Sequence, residues 1–255
     1  MLATSVTFLA GIAFVWSPWS NISLEDATVL LPVTAQSVAA PPGKDDVLMI
    51  VYSGDGGWAD LDQQVGKGVV AKGIPVIGIN VFKYYWRERS VEESAVELDA
   101  LLTKYANLWG KQRFWIAGFS FGADVLPSII DKLGPQNRLR IAQMVLLSPT
   151  RDVNFEIEVE SYMTKQGWVK DKAKALREKI SPIQHFDALP PLLQLQDIPS
   201  IVCYYGSDDK DDTVCTQKGL PPSVVIHELP GDHHFNKAYP SLTKEMLQEL
   251  PARVQ

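Results

Sequence analysis

Gly118-Phe119-Ser120-Phe121-Gly122 is the stretch of this chain whose residue types and spacing best suit covalent chemistry. A serine with glycine two places to either side, between an apolar run and a helical pattern, fits the G-x-S-x-G nucleophile elbow. The turn from strand into helix is so tight that only small residues fit at those flanking positions. In return the hydroxyl is held up at the carboxyl end of the strand. The N–H groups that open the following helix present a partial positive charge to a developing oxyanion. Ser120 is therefore the candidate nucleophile, and the chemistry is attack on an ester carbonyl.

Such a serine needs a base, and the chain has four histidines. His227 falls within an apolar strand pattern, and His185 lies in an irregular stretch well before the last strand. His233 and His234 follow that last strand in Gly231-Asp232-His233-His234-Phe235, at the sheet edge where α/β proteins place their ligand crevice. The G-x-H-x-F-like spacing selects His233, with His234 as its rival. A carboxylate must orient the imidazole and stabilise its cation, in the chain order Ser, then Asp or Glu, then His. The loop Gly206-Ser207-Asp208-Asp209-Lys210-Asp211-Asp212 sits between strand and histidine loop. A G-x-x-D spacing favours Asp209, and Asp211 is the alternative. The oxyanion donors are expected to be the backbone N–H of Phe121 and one from Ser53-Gly54-Asp55-Gly56-Gly57-Trp58. Asp55 stands where that second donor belongs, with Gly56 and Gly57 as alternatives. This machinery calls for no metal and no organic cofactor.

The elements that must position these residues follow a βα rhythm from Val47 onward. Val47–Tyr52 is a continuous apolar run, as expected of a strand buried on both faces. Residues 59–71 can form a helix that Gly73 ends, and residues 75–80 form the next strand. Ser90 is an N-cap with Glu93 at the capping-box position, so a helix over 91–108 is predicted. Its apolar residues Val91, Ala95, Leu98, Leu101, Leu102 and Tyr105 recur at helical spacing. Strands are predicted over 113–117, Ile141–Leu147, 201–205 and Val224–Leu229, a helix from the elbow to about Leu133, and a terminal helix over 241–250. Strands alternating with helices indicate a three-layer α/β architecture, a mostly parallel sheet covered on both faces. One longer stretch, 149–199, breaks the rhythm. It contains a charged helical pattern over 170–179 and an apolar, proline-bearing run over 186–195, and it reads either as extra packing on the domain's flank or as a cap insertion over the crevice.

Composition sets the outer bounds. At 255 residues the chain suits one α/β domain and can bury a sizeable core without a metal or staple. A net charge of −6 with no Lys/Arg cluster argues against a nucleic-acid partner. Residues 2–16 are apolar and uncharged, short for a membrane span but of the length of a signal-peptide core, although no basic residue precedes them. Export is the favoured reading, by a cleaved signal or an uncleaved anchor. Residues 1–28 are assigned to signal peptide and linker and 29–255 to the catalytic domain, with one short strand expected near 29–33. Cys203 and Cys215 suit either a disulfide in an exported protein or two buried small side chains.

The pairing of SGDGGW at 53–58 with GFSFGADVLP at 118–127 resembles the bacterial virulence-associated VirJ/AcvB family. LLSPTRDVNFEIEV at 146–159, YYGSDDKDD at 204–212 and LPGDHHF at 229–235 are similar too. The resemblance runs from about Leu30 to the C-terminus and implies a periplasmic α/β-hydrolase fold of the single-domain, VirJ-like form. It implies Ser120 as nucleophile and a histidine loop holding His233 and His234. The acidic loop is about one residue longer before Cys215 than the family pattern. AcvB-like members are associated with hydrolysis of aminoacylated phosphatidylglycerol, notably the lysyl form. The expected partner is therefore an aminoacylated phospholipid at a membrane surface, with secretion-system proteins as further partners. An acidic rim of Asp208, Asp209, Asp211, Asp212 and Asp232 would suit a cationic lysyl ester, and Trp58 or Trp86 could meet the lipid surface.

Overall fold

The apolar runs become the strands of one sheet because each has hydrophobic side chains for two faces. The computed structural model describes residues 21–158 and 182–253. In chain order the strands are β1 (Thr28–Leu31), β2 (Val47–Tyr52), β3 (Val76–Ile79), β4 (Arg113–Phe119), β5 (Ile141–Leu147), β6 (Asp152–Val153), β7 (Phe186–Asp187), β8 (Ile201–Gly206) and β9 (Val224–Leu229). Seven of them form a sheet in the order β1-β3-β2-β4-β5-β8-β9, while β6 and β7 pair as a separate antiparallel ribbon. Within the large sheet only β1 runs antiparallel to its neighbour, with Thr28 opposite Ile79.

Alternation along β2 shows how the three layers arise. Leu48, Ile50 and Tyr52 enter one core with Val81 and Tyr84 of the short helix α2 (Val81–Tyr84), Leu98 and Leu102 of α3 (Val91–Trp109) and Val125, Leu126 and Ile129 of α4 (Phe121–Asp131). Val47, Met49 and Val51 enter the other with Leu61, Val65 and Val69 of α1 (Asp60–Ala71) and Leu242 and Met246 of the terminal helix Tyr239–Glu249. Period-two side-chain placement on a strand buried on both faces requires apolar residues at every position, which is what the run supplies. The strand order places β3 on one side of β2 and β4 on the other, so the crevice outside the carboxyl ends of β2 and β4 is a topological switch point.

Three local expectations are refined. Ser90 does cap α3, its hydroxyl accepting the Glu93 N–H at 3.0 Å. The Glu93 carboxylate, however, turns to Arg87 and Arg89 (2.7 and 2.5 Å) rather than back to the cap, because two guanidinium groups compete for it. The domain begins before residue 29, since Leu24 and Ala27 are buried in the core and the Asn80 N–H donates to the Ala27 carbonyl. Trp58, half-buried, lies across the faces of Gly66 and Gly78, where a Cβ on Gly78 would come within 2.4 Å of its ring, so it packs on α1 and β3. Trp86 packs on Phe82, with ring centroids 5.1 Å apart.

The charged helical pattern at 170–179 lies outside the described residues, as do residues 1–20 with the apolar N-terminal run. The described parts of 149–199 are the β6–β7 ribbon and a short helix, Leu189–Leu193. Beside them opens a cavity of ≈ 620 Å³ lined by Ser90, Val91, Ser128, Phe155, Phe186 and neighbours. None of Ser120, Asp209 and His233 lines it. Among the described residues no helix is long and apolar enough to cross a membrane. Cys203 and Cys215 form a disulfide, which resolves the cysteine alternatives in favour of the bridge.

Candidate active site

Four loops at the carboxyl edge of the sheet carry the candidate residues. Ser120 stands between β4 and α4 with φ 51° and ψ −122°, a positive-φ backbone that a non-glycine residue adopts only under constraint. The constraint is the closeness of strand and helix. A Cβ on Gly118 would meet the Gly122 carbonyl oxygen at 2.4 Å, and one on Gly122 would meet the Ser53 carbonyl oxygen at 2.5 Å. Only glycine fits either place. The Ser120 N–H donates to the Leu147 carbonyl of the neighbouring strand (2.9 Å), while its own carbonyl accepts the N–H groups of Ala123 and Asp124 and starts α4.

Phe121 is the first residue of α4, so its N–H has no carbonyl one helical turn back to bond. The glycine-rich loop after β2 forms a tight turn, with the Gly57 N–H donating to the Gly54 carbonyl at 3.0 Å and Asp55 at its tip. This turn abuts the nucleophile: a Cβ on Gly54 would lie 3.7 Å from the Ser120 Cβ. Both expected oxyanion donors therefore belong to segments that border Ser120. Beneath the loop, Asp62 is buried and its carboxylate accepts the Ala59 N–H, and burial pushes this carboxyl well above the usual range.

The acid and the base come together across β8 and β9. Asp209 Oδ2 lies 2.7 Å from His233 Nδ1. Asp209 is half-buried in a 3₁₀ turn directly after β8, whereas Asp208, Asp211 and Asp212 are exposed. The acid and histidine loops are joined directly, the Asp208 N–H donating to the Gly231 carbonyl at 3.0 Å. Past Asp209 the acidic loop turns so that the Asp209 carbonyl accepts the N–H groups of Asp212 and Thr213, and Asp211 stays exposed. The disulfide closes this loop from Cys203 in β8 to Cys215, so Asp209 sits inside a covalent ring.

The two adjacent histidines have different partners. The His233 ring packs on Phe119, the residue before the nucleophile, with centroids 5.4 Å apart. His234 also reaches Phe119, but its Nδ1 is 3.2 Å from the Tyr239 hydroxyl, which in turn donates to Asp60 at 3.1 Å. With the tyrosine proton given to Asp60, His234 Nδ1–H is the donor to that hydroxyl. Burial, and next the neighbouring His233, hold the His234 imidazole below its ordinary value. Asp232 caps the histidine loop, its carboxylate accepting the N–H groups of His234 (3.0 Å) and Asn236 (3.2 Å). Those bonds, the Asn236 one first, keep Asp232 below the ordinary carboxylate range. His227 lies in β9, stacked on Tyr204, and His185 pairs with Glu158; neither joins the site.

Three polar residues near the crevice escaped sequence reasoning: Asp124, Ser148 and Thr150. Asp124 lies one turn after Ser120, and its carboxylate accepts the Thr150 N–H (2.6 Å) and hydroxyl (3.1 Å). Burial, opposed by those bonds and reinforced by Asp152 and Asp55, pushes it up to about 7. Ser148, 1% exposed, donates its hydroxyl to the His233 carbonyl at 2.9 Å. The signal for the last two was their place within three residues of the end of a strand that is apolar except for Gln143, at the same sheet edge as the elbow. Among the described residues no group of three His, Cys, Asp or Glu side chains is placed to hold a metal ion.

Comparison with solved structures places this architecture among α/β hydrolases. Proline iminopeptidase from Mycobacterium smegmatis superposes with a TM-score of 0.55 at 11% identity, over 88% of this chain and 97% of that one. Est1E from Butyrivibrio proteoclasticus gives 0.54 at 11% identity, over 87% and 93%. XC6422 from Xanthomonas campestris, a serine hydrolase without a lid, gives 0.51 at 14% identity, over 89% and 90%. At such identities the likeness is one of fold. No curated protein sequence matches the chain. A family profile described as bacterial virulence protein (VirJ) matches residues 46–254.

Proposed function

The chain belongs to the VirJ family of bacterial virulence proteins, and from that premise we propose that it is a serine esterase that works through an acyl-enzyme. The observation that carries the reading is the 2.7 Å Asp209–His233 contact beside a strained Ser120 elbow. Asp209 accepts the Nδ1–H of His233, which fixes the tautomer that leaves Nε2 free to take the Ser120 proton. The Ser120 oxygen then attacks the ester carbonyl. The N–H groups of Phe121 and Asp55 receive the oxyanion, where preorganised donors are worth about 3–4 kcal/mol each. Collapse of the tetrahedral intermediate expels the alcohol with the proton held by His233. Water, activated by the same imidazole, releases the acyl group and regenerates Ser120.

For the substrate we propose the aminoacyl ester of an aminoacylated phosphatidylglycerol, with lysine as the leading acyl group. Family membership and the resemblance to AcvB-like hydrolases support it. So does the charge around the crevice: Asp55 and Asp152 each lie close enough to act on buried Asp124, one turn after the nucleophile, and Asp208, Asp211, Asp212 and Asp232 lie on the acid and histidine loops. An ammonium group on the acyl side would meet carboxylates there. The disulfide suits the periplasmic location we propose, because such bonds persist in oxidising compartments.

The test is release of lysine from lysyl-phosphatidylglycerol in detergent micelles by the full chain, compared with Ser120→Ala. Serine-dependent release supports nucleophile and substrate together. Cleavage of a short-chain aryl ester without release of lysine keeps the mechanism and discards the lipid. Silence on both substrates turns the reading toward a binding factor for secretion-system proteins built on a hydrolase fold.

A further inference from the structure

The end of β5 touches every segment that carries a member of the Ser120–Asp209–His233 set. The Leu147 carbonyl accepts the N–H of Ser120 at 2.9 Å. The next residue, Ser148, donates its N–H to the Tyr204 carbonyl of β8 (2.8 Å) and its hydroxyl to the His233 carbonyl (2.9 Å). Two residues on, Thr150 holds Asp124 of α4 and pairs as a β-bridge with Thr213, whose N–H is bonded to the Asp209 carbonyl. Arg151 adds a contact to the Thr213 carbonyl. Nucleophile and base are thus tied to adjacent residues of one strand end, and the acid loop is tied two residues further along.

Ser148 holds this place with φ 47°, in the left-handed region. Glycine would adopt that backbone without strain. What serine adds is a hydroxyl, and among the described residues the one acceptor of that hydroxyl is the carbonyl of His233. Asp209 fixes the imidazole from the side of the ring, but a ring held only there can still shift with its own backbone. The Ser148 bond fixes that backbone. The residues just after His233 are themselves strained, because Phe235, Asn236 and Lys237 in succession have positive φ (54°, 49° and 59°), so a bond from the neighbouring strand end adds to the turn's own hydrogen bonds in fixing the His233 backbone.

We propose that Ser148 is a positioning residue for the base: its buried hydroxyl holds the His233 backbone in register with Ser120, through the single strand end that both are bonded to. The inference rests on the reading of Ser120, His233 and Asp209 as a catalytic set. Ser148 touches no reacting atom, and its effect passes entirely through His233.

The experiment compares wild type, Ser148→Gly and Ser148→Ala, each as the full chain. It measures thermal midpoint, kcat and KM for a short-chain aryl ester, and the rate at which a fluorophosphonate labels Ser120. Glycine relieves the backbone strain and removes the hydroxyl, while alanine removes the hydroxyl and keeps the strain. Positioning predicts that both variants lose kcat and labelling rate by a similar factor, on the order of 10–100-fold, since a shift of about 1 Å at a reacting group costs that much. KM should stay within about twofold. A role confined to folding predicts instead that activity follows the thermal midpoint, so a folded Ser148→Gly protein with wild-type kcat and labelling overturns the proposal. Glycine carries the test if the alanine variant does not fold. A wild-type protein that takes no label identifies the failure as that of the catalytic reading itself, and the inference falls with it.

Discussion

The two ends of the sheet differ in which residues they hold in left-handed backbone. At the amino end, the turns that lead into β2, β3, β4 and β9 place glycine at positive φ: Gly43, Gly73, Gly110 and Gly219. At the carboxyl end Gly57 and Gly231 have positive φ too, but all six non-glycine residues with positive φ among the described residues join them there: Asp60, Ser120, Ser148, Phe235, Asn236 and Lys237. The amino end is also closed by a satisfied ion pair. Arg113 donates to both oxygens of buried Asp46 at 2.9 and 2.8 Å and to the carbonyls of Gly43 and Pro251. One end uses the residue that removes strain, and the other keeps strain where side chains must project from tight turns. Strain of this kind costs about 1–3 kcal/mol per residue and persists where surrounding structure holds it. The contrast teaches that stability and chemistry are separable along the strand direction, and each end can be broken without the other.

The largest separation is expected at Ser120. Ser120→Ala should lower kcat on an aryl ester by about 10⁶-fold while the thermal midpoint stays level, a pairing that ester kinetics and a melting curve would reveal. Asp209→Asn should follow, with a loss of about 10⁴-fold, because the amide favours the wrong imidazole tautomer. Asp211→Asn, exposed on the same loop, should leave kcat unchanged. Equal losses from the two acids would remove the assignment of Asp209.

Replacing both Cys203 and Cys215 by alanine tests whether the carboxyl end depends on its covalent ring. The bridge spans 12 residues of chain. Its loss should cost about 3 kcal/mol by loop entropy, read from urea unfolding, together with kcat, since Asp209 lies inside the ring. Arg113→Ala attacks the other end. It leaves Asp46 buried without its bidentate partner and should cost about 3 kcal/mol, with kcat unaltered in the folded protein. Arg113 holds the Asp46 carboxyl below its ordinary value, so the pair's contribution is present above the unfolded value near 3.8 and fades as pH falls through the lower folded value. The variant should therefore lose part of the wild type's acid sensitivity.

The smallest effect is expected at Asp124. Its carboxyl, raised to about 7, binds a proton more tightly folded than unfolded, so stability falls as pH rises from about 4 to about 7 and is level above. Asparagine keeps an acceptor for the Thr150 N–H and removes the titration. Thermal midpoints of Asp124→Asn at pH 5 and pH 8 should lie closer together than those of wild type. A gap as wide as the wild type's would assign the slope to another group.

What the sequence determined by itself was whatever short-range geometry encodes. Continuous apolar runs specified buried parallel strands, and the Ser90 cap specified the start of α3. Glycines two places from Ser120 specified the elbow, because a strand turning into a helix at that angle has room for nothing larger. The spacing after β8 favoured Asp209 but left Asp211 as a rival, and only the fold sets Asp209 2.7 Å from His233 Nδ1. Tertiary structure alone decided the rest. His233 and His234 are neighbours in the chain, and only the approach of Asp209 to one and of Tyr239 to the other separates them. The cysteine bridge needed Cα atoms 6.1 Å apart, a distance that no spacing fixes. Ser148 is one more serine in a sequence until the fold sets its hydroxyl against the His233 carbonyl. Contacts between strands far apart in sequence depend on sheet order and register, and these are set by the packing of both cores together rather than by any local pattern.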